Sequence, residues 1–299
     1  MDIQDVRFNE TLFPVDGSKK LKDFNPSLYA VEHDFKKQAK EILEDGIVKM
    51  RDLHNKLYAF NRYALLIIFQ AMDAAGKDGT IKHVMSGINP QGCQVTSFKA
   101  PSQEELDHTY LWRCIKMLPR KGHIGIFNRS YYEEVLVVKV HPEMLKKQSL
   151  PELRNSDTVG DDFWDRRYLE IRSLERYMTN NGIHVLKFFL NVSKEEQKRR
   201  LLDRINNTDK NWKISLGDFQ ERRYWKNYQK AYNEALQKTS TEYAPWHVIP
   251  ADNKWYMRAA VSEIILSKLE SLDLHYPKIS VEKRKEIQDA KEYLESEKK

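Results

Sequence analysis

Residues 65–80 read LLIIFQAMDAAGKDGT, an order of chemical types that the rest of the chain has to accommodate. Leu65-Leu66-Ile67-Ile68-Phe69 is a continuous apolar run, the pattern of a parallel strand buried on both faces. It passes into a turn of small residues, Gln70-Ala71-Met72-Asp73-Ala74-Ala75-Gly76, and then into Lys77-Asp78-Gly79-Thr80, the start of a helix. A strand, small-residue turn and helix in that order gather unpaired backbone N–H groups and the positive end of a helix dipole around one point, where an anion is held. Gly76 lets the main chain approach phosphate oxygens. Lys77 adds a mobile point charge directed at the group being transferred, as in the GxxxxGK[ST] pattern. Ala74, Ala75, Gly76, Asp78, Gly79 and Thr80 are therefore candidate phosphate-binding positions.

Two positions depart from that pattern. Ala71 stands in place of the first glycine, and Asp78 in place of the hydroxyl that ordinarily ligates Mg²⁺. The plainer alternative is an ordinary glycine-containing strand-to-helix turn, a common feature of α/β folds. Asp73 argues against it. A carboxylate among phosphate-binding amides is repelled unless a cation lies between, so Asp73 is the candidate metal contact that Asp78 does not supply through a hydroxyl.

Working outward, further apolar runs occur at Gln94–Phe98, Ile124–Phe127, His184–Leu190 and His247–Ile249, with helical stretches between them at Glu104–Leu118 and Phe163–Asn180. This alternation predicts an α/β fold with a five-stranded parallel sheet between helical layers. Upstream, from Glu32, Leu43, Ile47, Met50, Leu53 and Leu57 form the stripe of a long amphipathic helix. The stretch before it, to about Ser27, is rich in turn formers and is expected to wrap over the core. Val281–Lys299 is almost wholly polar and reads as an exposed helix or tail. The predicted organisation is an extension and long helix over 1–60, a core over 61–272 and a charged end over 273–299.

The third strand ends in a second constellation, Ile124-Gly125-Ile126-Phe127-Asn128-Arg129-Ser130-Tyr131-Tyr132-Glu133-Glu134-Val135. An acid usually stands where Asn128 does. Ligands in open α/β sheets bind beyond the carboxyl ends of the strands, so Asn128 and Arg129 are expected in the same crevice as Asp73 and Lys77. A third region, Ser193 to Lys213, opens with Ser193 as N-cap and Glu196 three residues on, a capping box. Arg200 and Arg204 share one face of that helix. In isolation it reads first as a solvated charged face. Glu133, Glu134 and His141 lie near these motifs without a metal-ligand spacing.

Composition bounds the function. Hydrophobic residues are 40% and charged residues 31% of the 299, as in an ordinary globular protein. The longest apolar run, Ala64–Phe69, is too short to span a bilayer, and the start Met1-Asp2-Ile3-Gln4-Asp5 has no signal-peptide character, so a cytoplasmic location is expected. Cys93 and Cys114 are too few for a disulfide framework and read as small core residues. A net charge of +6 points to a polyanionic partner, and the basic residues lack the aromatic interleaving of a nucleic-acid binder.

Taken together, FQAMDAAGKDGTIKHVMSGINPQG, SFKAP, ELDHTYLWR and IFNRSYYEEVLVVKVHPE resemble the polyphosphate kinase 2 family, and within it class III, over about Leu21 to Leu269. The resemblance implies a P-loop kinase-like three-layer sandwich with a helical lid at about 194–225, whose arginines, Arg199, Arg200 and Arg204 among them, close over phosphates. It puts the Walker A acid and lysine on Asp73 and Lys77, the Walker B position on Asn128 and a phosphate-binding arginine on Arg129. Class I relatives read FDRSWY at that place, so Asn128 follows class III and departs from the broader family. Lys99, with Ala100 and Pro101 just past the second strand, is a weaker candidate, read either as meeting the donor chain or as simply turning the backbone. Asn253 and Lys254, with Ala251 and Asp252, resemble a PADNK element near the nucleotide, while Trp246 reads as core.

The implied activity is Mg²⁺-dependent reversible phosphoryl transfer between inorganic polyphosphate and AMP or ADP, forming ADP or ATP, with Mn²⁺ a possible substitute ion. The implied assembly is a homo-oligomer, dimer or tetramer, with neither nucleic acid nor membrane as partner. Two other readings compete: an ATP-dependent nucleoside monophosphate kinase and a non-enzymatic polyanion binder.

Overall fold

The apolar run at the centre of the sequence becomes β1 (Ala64–Ala71), buried at every position. The structure, a computed structural model, describes residues 11–28, 35–153, 158–213 and 215–297. The expected helix start at Glu32, the first ten residues and the last two, Lys298 and Lys299, lie outside the described residues. Four further strands, β2 (Cys93–Ser97), β3 (Ile124–Asn128), β4 (Ile183–Asn191) and β5 (Trp246–Pro250), complete one sheet in the order β2-β3-β1-β4-β5. Every neighbouring pair is parallel, and Phe69 of β1 stands beside Asn128 of β3. Their carboxyl ends therefore emerge on one edge, with β1 in the middle.

Eleven α-helices accompany the sheet among the described residues. The long ones are α1 (Phe35–Phe60), α6 (Asp161–Asn180), α9 (Trp225–Thr239) and α10 (Lys254–Glu270). Shorter ones are α2 (Lys77–Val84), α3 (Gln103–Leu106), α4 (Trp112–Ile115), α5 (Val137–Val140), α7 (Lys194–Ile205) and α8 (Leu216–Arg223), and α11 (Val281–Ser296) is a further long one. α1 and α2 pack on α10, which lies against β4 and β5; α6 and α9 pack on each other, and α6 on β4. Alternation along β4 explains the second layer, because Lys187 reaches Glu175 of α6 and Phe189 packs on Tyr232 of α9. Phe13 and Leu12 lay the N-terminal stretch along β5, Phe13 N donating to Trp246 O at 2.9 Å. α11 has no buried residue.

The single helix expected over Glu104–Leu118 is corrected by the structure, where only α3 and α4 are helical there. Asp107, His108 and Thr109 are weak helix formers. Arg113 also turns inward, Nη1 donating to Lys99 O at 2.7 Å, which draws the second half of the segment towards the end of β2.

Beneath the sheet edge sits an ionic pair with no exposure, Lys187 Nζ to Glu175 Oε2 at 2.7 Å. The ammonium also donates to Tyr132 OH at 2.9 Å and to Thr239 O at 2.8 Å. Tyr131 and Tyr132 donate to Glu175 Oε1 at 2.9 and 2.8 Å. Burial pulls the Lys187 pKa down to about 8 and pushes that of Glu175 up. The pair joins β4, α6, the C-terminal end of α9 and the turn that follows β3. Removing one partner leaves a buried charge uncompensated, so Lys187→Met is expected to cost about 3–5 kcal/mol in urea unfolding, and Lys187→Met with Glu175→Leu to recover part of that. A single variant as stable as the unaltered protein would show that the pair is not ionic.

Candidate active site

The turn after β1 is built from conformations that few residues adopt. Ala74 has φ 60° and Gly76 φ 105°. At Gly76 the left-handed backbone favours glycine, and a Cβ there would also press on Met257 Cε, 3.3 Å away. Thr80 donates its hydroxyl to Gly76 O at 3.1 Å, so it closes the first helical turn. Lys77 begins α2, and its Nζ donates to Ala71 O at 3.2 Å, lying back over the turn. Burial lowers the Lys77 pKa, with the Asp73 carboxylate opposing that shift.

Arg129 stands just beyond β3, in a left-handed conformation with φ 65°. Its N–H donates to Phe69 O at 3.0 Å, which fixes the turn to β1. From there Nη2 lies 3.3 Å from Asp73 Oδ1 and Nη1 lies 3.8 Å from Glu133 Oε2. Burial pushes the Glu133 pKa up, against the pull of Arg129 and Lys77. Asp73, Arg129 and Glu133 line a cavity of about 190 Å³ together with Gln197, Glu221 and Arg222.

Asn128 faces away from this group. Its Nδ2 donates to Asp78 Oδ1 at 2.7 Å and to Ser97 Oγ at 3.5 Å, so it ties the start of α2 to β2. A neutral amide there holds Asp78 without repelling it.

The segment from α7 to α8 covers the turn. Arg200 is buried, and its guanidinium is fully occupied: Nη1 donates to Ala75 O at 2.6 Å and Ala74 O at 3.2 Å, Nη2 to Ala251 O at 2.6 Å and Asp252 O at 3.1 Å, and Nε to Glu196 Oε1 at 2.7 Å. It thus binds main-chain carbonyls of the turn to the exit of β5. Arg199 lies on the surface against Glu196 and Asp203, and Arg204 is half-buried on the same helix. Ser193 caps α7 through Glu196 N at 3.1 Å. The reciprocal half of the expected capping box is replaced: Ser193 N donates to Asp252 Oδ1 at 2.8 Å, because Glu196 is drawn to the arginines.

Of the remaining candidates, Lys99 is exposed at the end of β2 and its carbonyl holds Arg113. Asn253 caps α10, its Oδ1 accepting from Trp255 N at 2.9 Å and Tyr256 N at 3.2 Å, and Lys254 is exposed on the first turn. Trp246 is core. His141 Nε2 lies 2.9 Å from Glu221 Oε2 of α8. No group of three or more His, Cys, Asp or Glu with metal-holding geometry exists among the described residues.

Several contributors had no signature in the sequence. Gln197 is buried, donating to Asp73 O at 2.9 Å and accepting from Arg222 Nη1 at 2.6 Å, which couples α7 and α8 to the turn. A larger cavity of about 650 Å³ opens on the other side of the turn Tyr131–Val135, between Tyr110, Phe163, Arg113, Arg167 and Glu134. Adjacent Glu133 and Glu134 thus serve different cavities, Glu134 pairing with Arg167 at 2.6 Å. Tyr110 and Arg113 fall in the ELDHTYLWR wording and Glu134 in IFNRSYYEEVLVVKVHPE, but neither pattern marks a cavity.

Chemically, a turn of amides, an ammonium and a guanidinium face two carboxylates at the rim of a partly closed cavity, an arrangement that holds phosphate groups and neutralises charge moving between them. Arg200→Lys cannot reach carbonyls on both sides at once. It is expected to cost about 1.5–3 kcal/mol of stability and to reduce turnover at least about tenfold through the displaced turn. Thermal unfolding and kinetics check this; full activity would detach Arg200 from the site.

The polyphosphate kinase 2 (PPK2) family model matches residues 33–277. An "ADP-polyphosphate phosphotransferase" of Rhodopseudomonas palustris is 49% identical over 88% of this chain and 90% of its own. An "AMP/ADP-polyphosphate phosphotransferase" of Meiothermus ruber is 44% identical over 88% of this chain and 92% of its own. The crystal structure of polyphosphate kinase 2 from Arthrobacter aurescens TC1 superposes with a TM-score of 0.84 at 38% identity, over 94% of this chain and 95% of that one.

Proposed function

The chain belongs to the polyphosphate kinase 2 family, and from that membership we infer that it is a polyphosphate-dependent phosphotransferase acting reversibly between inorganic polyphosphate and AMP or ADP. One observation carries the reading. Lys77, Arg129 and Asp73 meet at the carboxyl ends of two adjacent strands, with Arg129 Nη2 3.3 Å from Asp73. We assign the chain to class III on the wording of its motifs, Asn128 included.

In this reading the turn amides and Lys77 take the donor phosphates, and Arg129 draws the transferring group into line. The terminal phosphate of ADP is already ionised near neutral pH, so no general base is required and a neutral Asn128 is no obstacle. Mg²⁺ fits the donor set: it takes one or two carboxylates and completes its shell with water and phosphate oxygens. Asp73, with 27% of its side chain exposed at the cavity rim, offers such a carboxylate. Asp73 would hold the ion, whose chemistry there would be neutralisation of phosphate charge. Gln197, Glu221 and Arg222 hold α7 and α8 over the cavity and exclude water from the transfer. The 650 Å³ cavity, with aromatic walls and buried arginines, supports an acceptor nucleoside.

The reading is tested by incubating the protein with Mg²⁺, ADP and polyphosphate, and separately with AMP and ATP. ATP formed only with polyphosphate is expected; ADP formed from AMP and ATP alone would favour a nucleoside monophosphate kinase. Lys77→Ala is expected to lower turnover roughly a hundredfold or more with the fold retained, as for loss of a charge-stabilising group. Near-normal rates in that variant would remove the turn from the mechanism. Asn128→Asp sets a carboxylate against Asp78 and is expected to move preference toward AMP, the less charged acceptor. An unaltered AMP to ADP ratio would rule that role out.

A further inference from the structure

His141 is a buried polar residue that the phosphate-binding turn does not use. It follows α5 on the segment leaving β3, the same segment that carries Arg129 and Glu133, and it meets the end of α8. Its Nε2 lies 2.9 Å from Glu221 Oε2. A carboxylate oxygen only accepts, so Nε2 carries the hydrogen and donates. Tyr228 of α9 donates its hydroxyl to the same oxygen at 2.6 Å, and the His141 ring stands edge-on to Tyr224, with centroids 4.7 Å apart. The other ring nitrogen, Nδ1, is 3.4 Å from Glu143 Oε1 on the surface, where solvent screens the attraction.

The glutamate held in this way lines the 190 Å³ cavity with Asp73 and Arg129. Its neighbour Arg222 donates Nη1 to Gln197 Oε1 at 2.6 Å, and Gln197 donates to Asp73 O at 2.9 Å. α8 is therefore fastened on two sides. One side reaches the turn after β1 through Arg222 and Gln197, and the other reaches the segment after β3 through Glu221 and His141. Those connections lead to the two adjacent strands whose exits carry Asp73 and Arg129. A cover tied on one side swings about that tie, whereas one tied on both keeps a fixed seat over the cavity.

We infer that His141 is a positioning residue for the transfer: by holding Glu221 it seats α8 over the cavity and decides whether the phosphoryl group meets ADP or water. The inference rests on the polyphosphate reading above and adds to it the residue that secures the cover. In the hydrolytic side reaction a water oxygen bonds to the terminal phosphorus, the bridging P–O bond to the next unit breaks, and a proton passes to solvent. Orthophosphate and a chain one unit shorter result. Water is always present in large excess over ADP, so exclusion by the cover sets the partition between the two acceptors.

The test incubates the protein with Mg²⁺, ADP and long-chain polyphosphate and measures orthophosphate released per ATP formed. That ratio does not depend on how much of the protein is folded, so a loss of stability alone leaves it unchanged. In His141→Phe, which keeps a ring against Tyr224 and lacks the donor, it is expected to rise about five- to tenfold, the effect of losing one charge-assisted hydrogen bond. His141→Gln restores an N–H donor and is expected to bring the ratio back to within about twofold of the unaltered protein. Tyr228→Phe removes the other donor to Glu221 and is expected to raise it about two- to threefold. An unchanged ratio in His141→Phe, or in Tyr228→Phe should the first variant fail to fold, overturns the assignment while leaving the polyphosphate reading in place. A ratio in His141→Gln as high as in His141→Phe overturns it equally. Absence of ATP formation from polyphosphate in the unaltered protein overturns that reading and the assignment with it.

Discussion

A turn that gathers its N–H groups at one point has to turn its carbonyls the other way, and buried carbonyls need donors. The Arg200 guanidinium is that donor. It takes Ala74 O and Ala75 O on one side and Ala251 O and Asp252 O on the other, held from behind by Glu196. A planar fork with fixed donor directions suits carbonyls arriving from two strand exits, which an ammonium would not serve equally. The shape of the turn, the seat of α7 and the approach of α10 all follow from this one side chain. Asp252 repeats the economy, accepting from Ser193 N and from Ser27 Oγ, so the exit of β5 also fixes the cap of α7 and the N-terminal stretch.

Arg129 depends on a different support. Its left-handed backbone carries a steric cost of order 1–3 kcal/mol that neighbouring contacts have to offset. The residues that follow it supply them: Ser130 Oγ accepts from Tyr132 N at 3.1 Å, and the Tyr131 and Tyr132 hydroxyls are anchored by Glu175 and Lys187. A buried ion pair is weak evidence of stability, since desolvation offsets much of its attraction. Here it orients two phenols immediately after the arginine that has to reach Asp73. The ionic core and the site are one construction.

Much of this was legible in the sequence where a residue's role follows from its own type and its immediate neighbours. The strands at residues 65–69, 124–127, 184–190 and 247–249 appear in the sheet because a strand buried there has to be largely apolar, and the one read at 94–98 appears as the mostly exposed edge strand β2. Gly76, Lys77, Asp73 and Arg129 come together because they follow adjacent parallel strands. Local pattern failed where the decisive partner lies far along the chain. Arg200 reads as one more basic residue on a charged helix, and only its partners some fifty and 125 positions away turn it inward. Gln197 carries no motif, yet it holds Asp73 O. The break between α3 and α4 follows from Arg113 seeking Lys99 O, a constraint that propensity does not contain.

The pairing of Asn128 with Asp78 shows how charge is apportioned across the site. Class I wording has an acid at this place and this chain has an amide, while the position after the lysine, usually a hydroxyl, is an acid. The two departures compensate. With Asn128 Nδ2 2.7 Å from Asp78 Oδ1, a neutral residue at 128 permits an anionic one at 78, where two carboxylates in contact would repel. One negative charge therefore remains beside α2, shifted from the end of β3 to the first turn of the helix. There it meets the helix dipole instead of opposing the Arg129 and Asp73 pair.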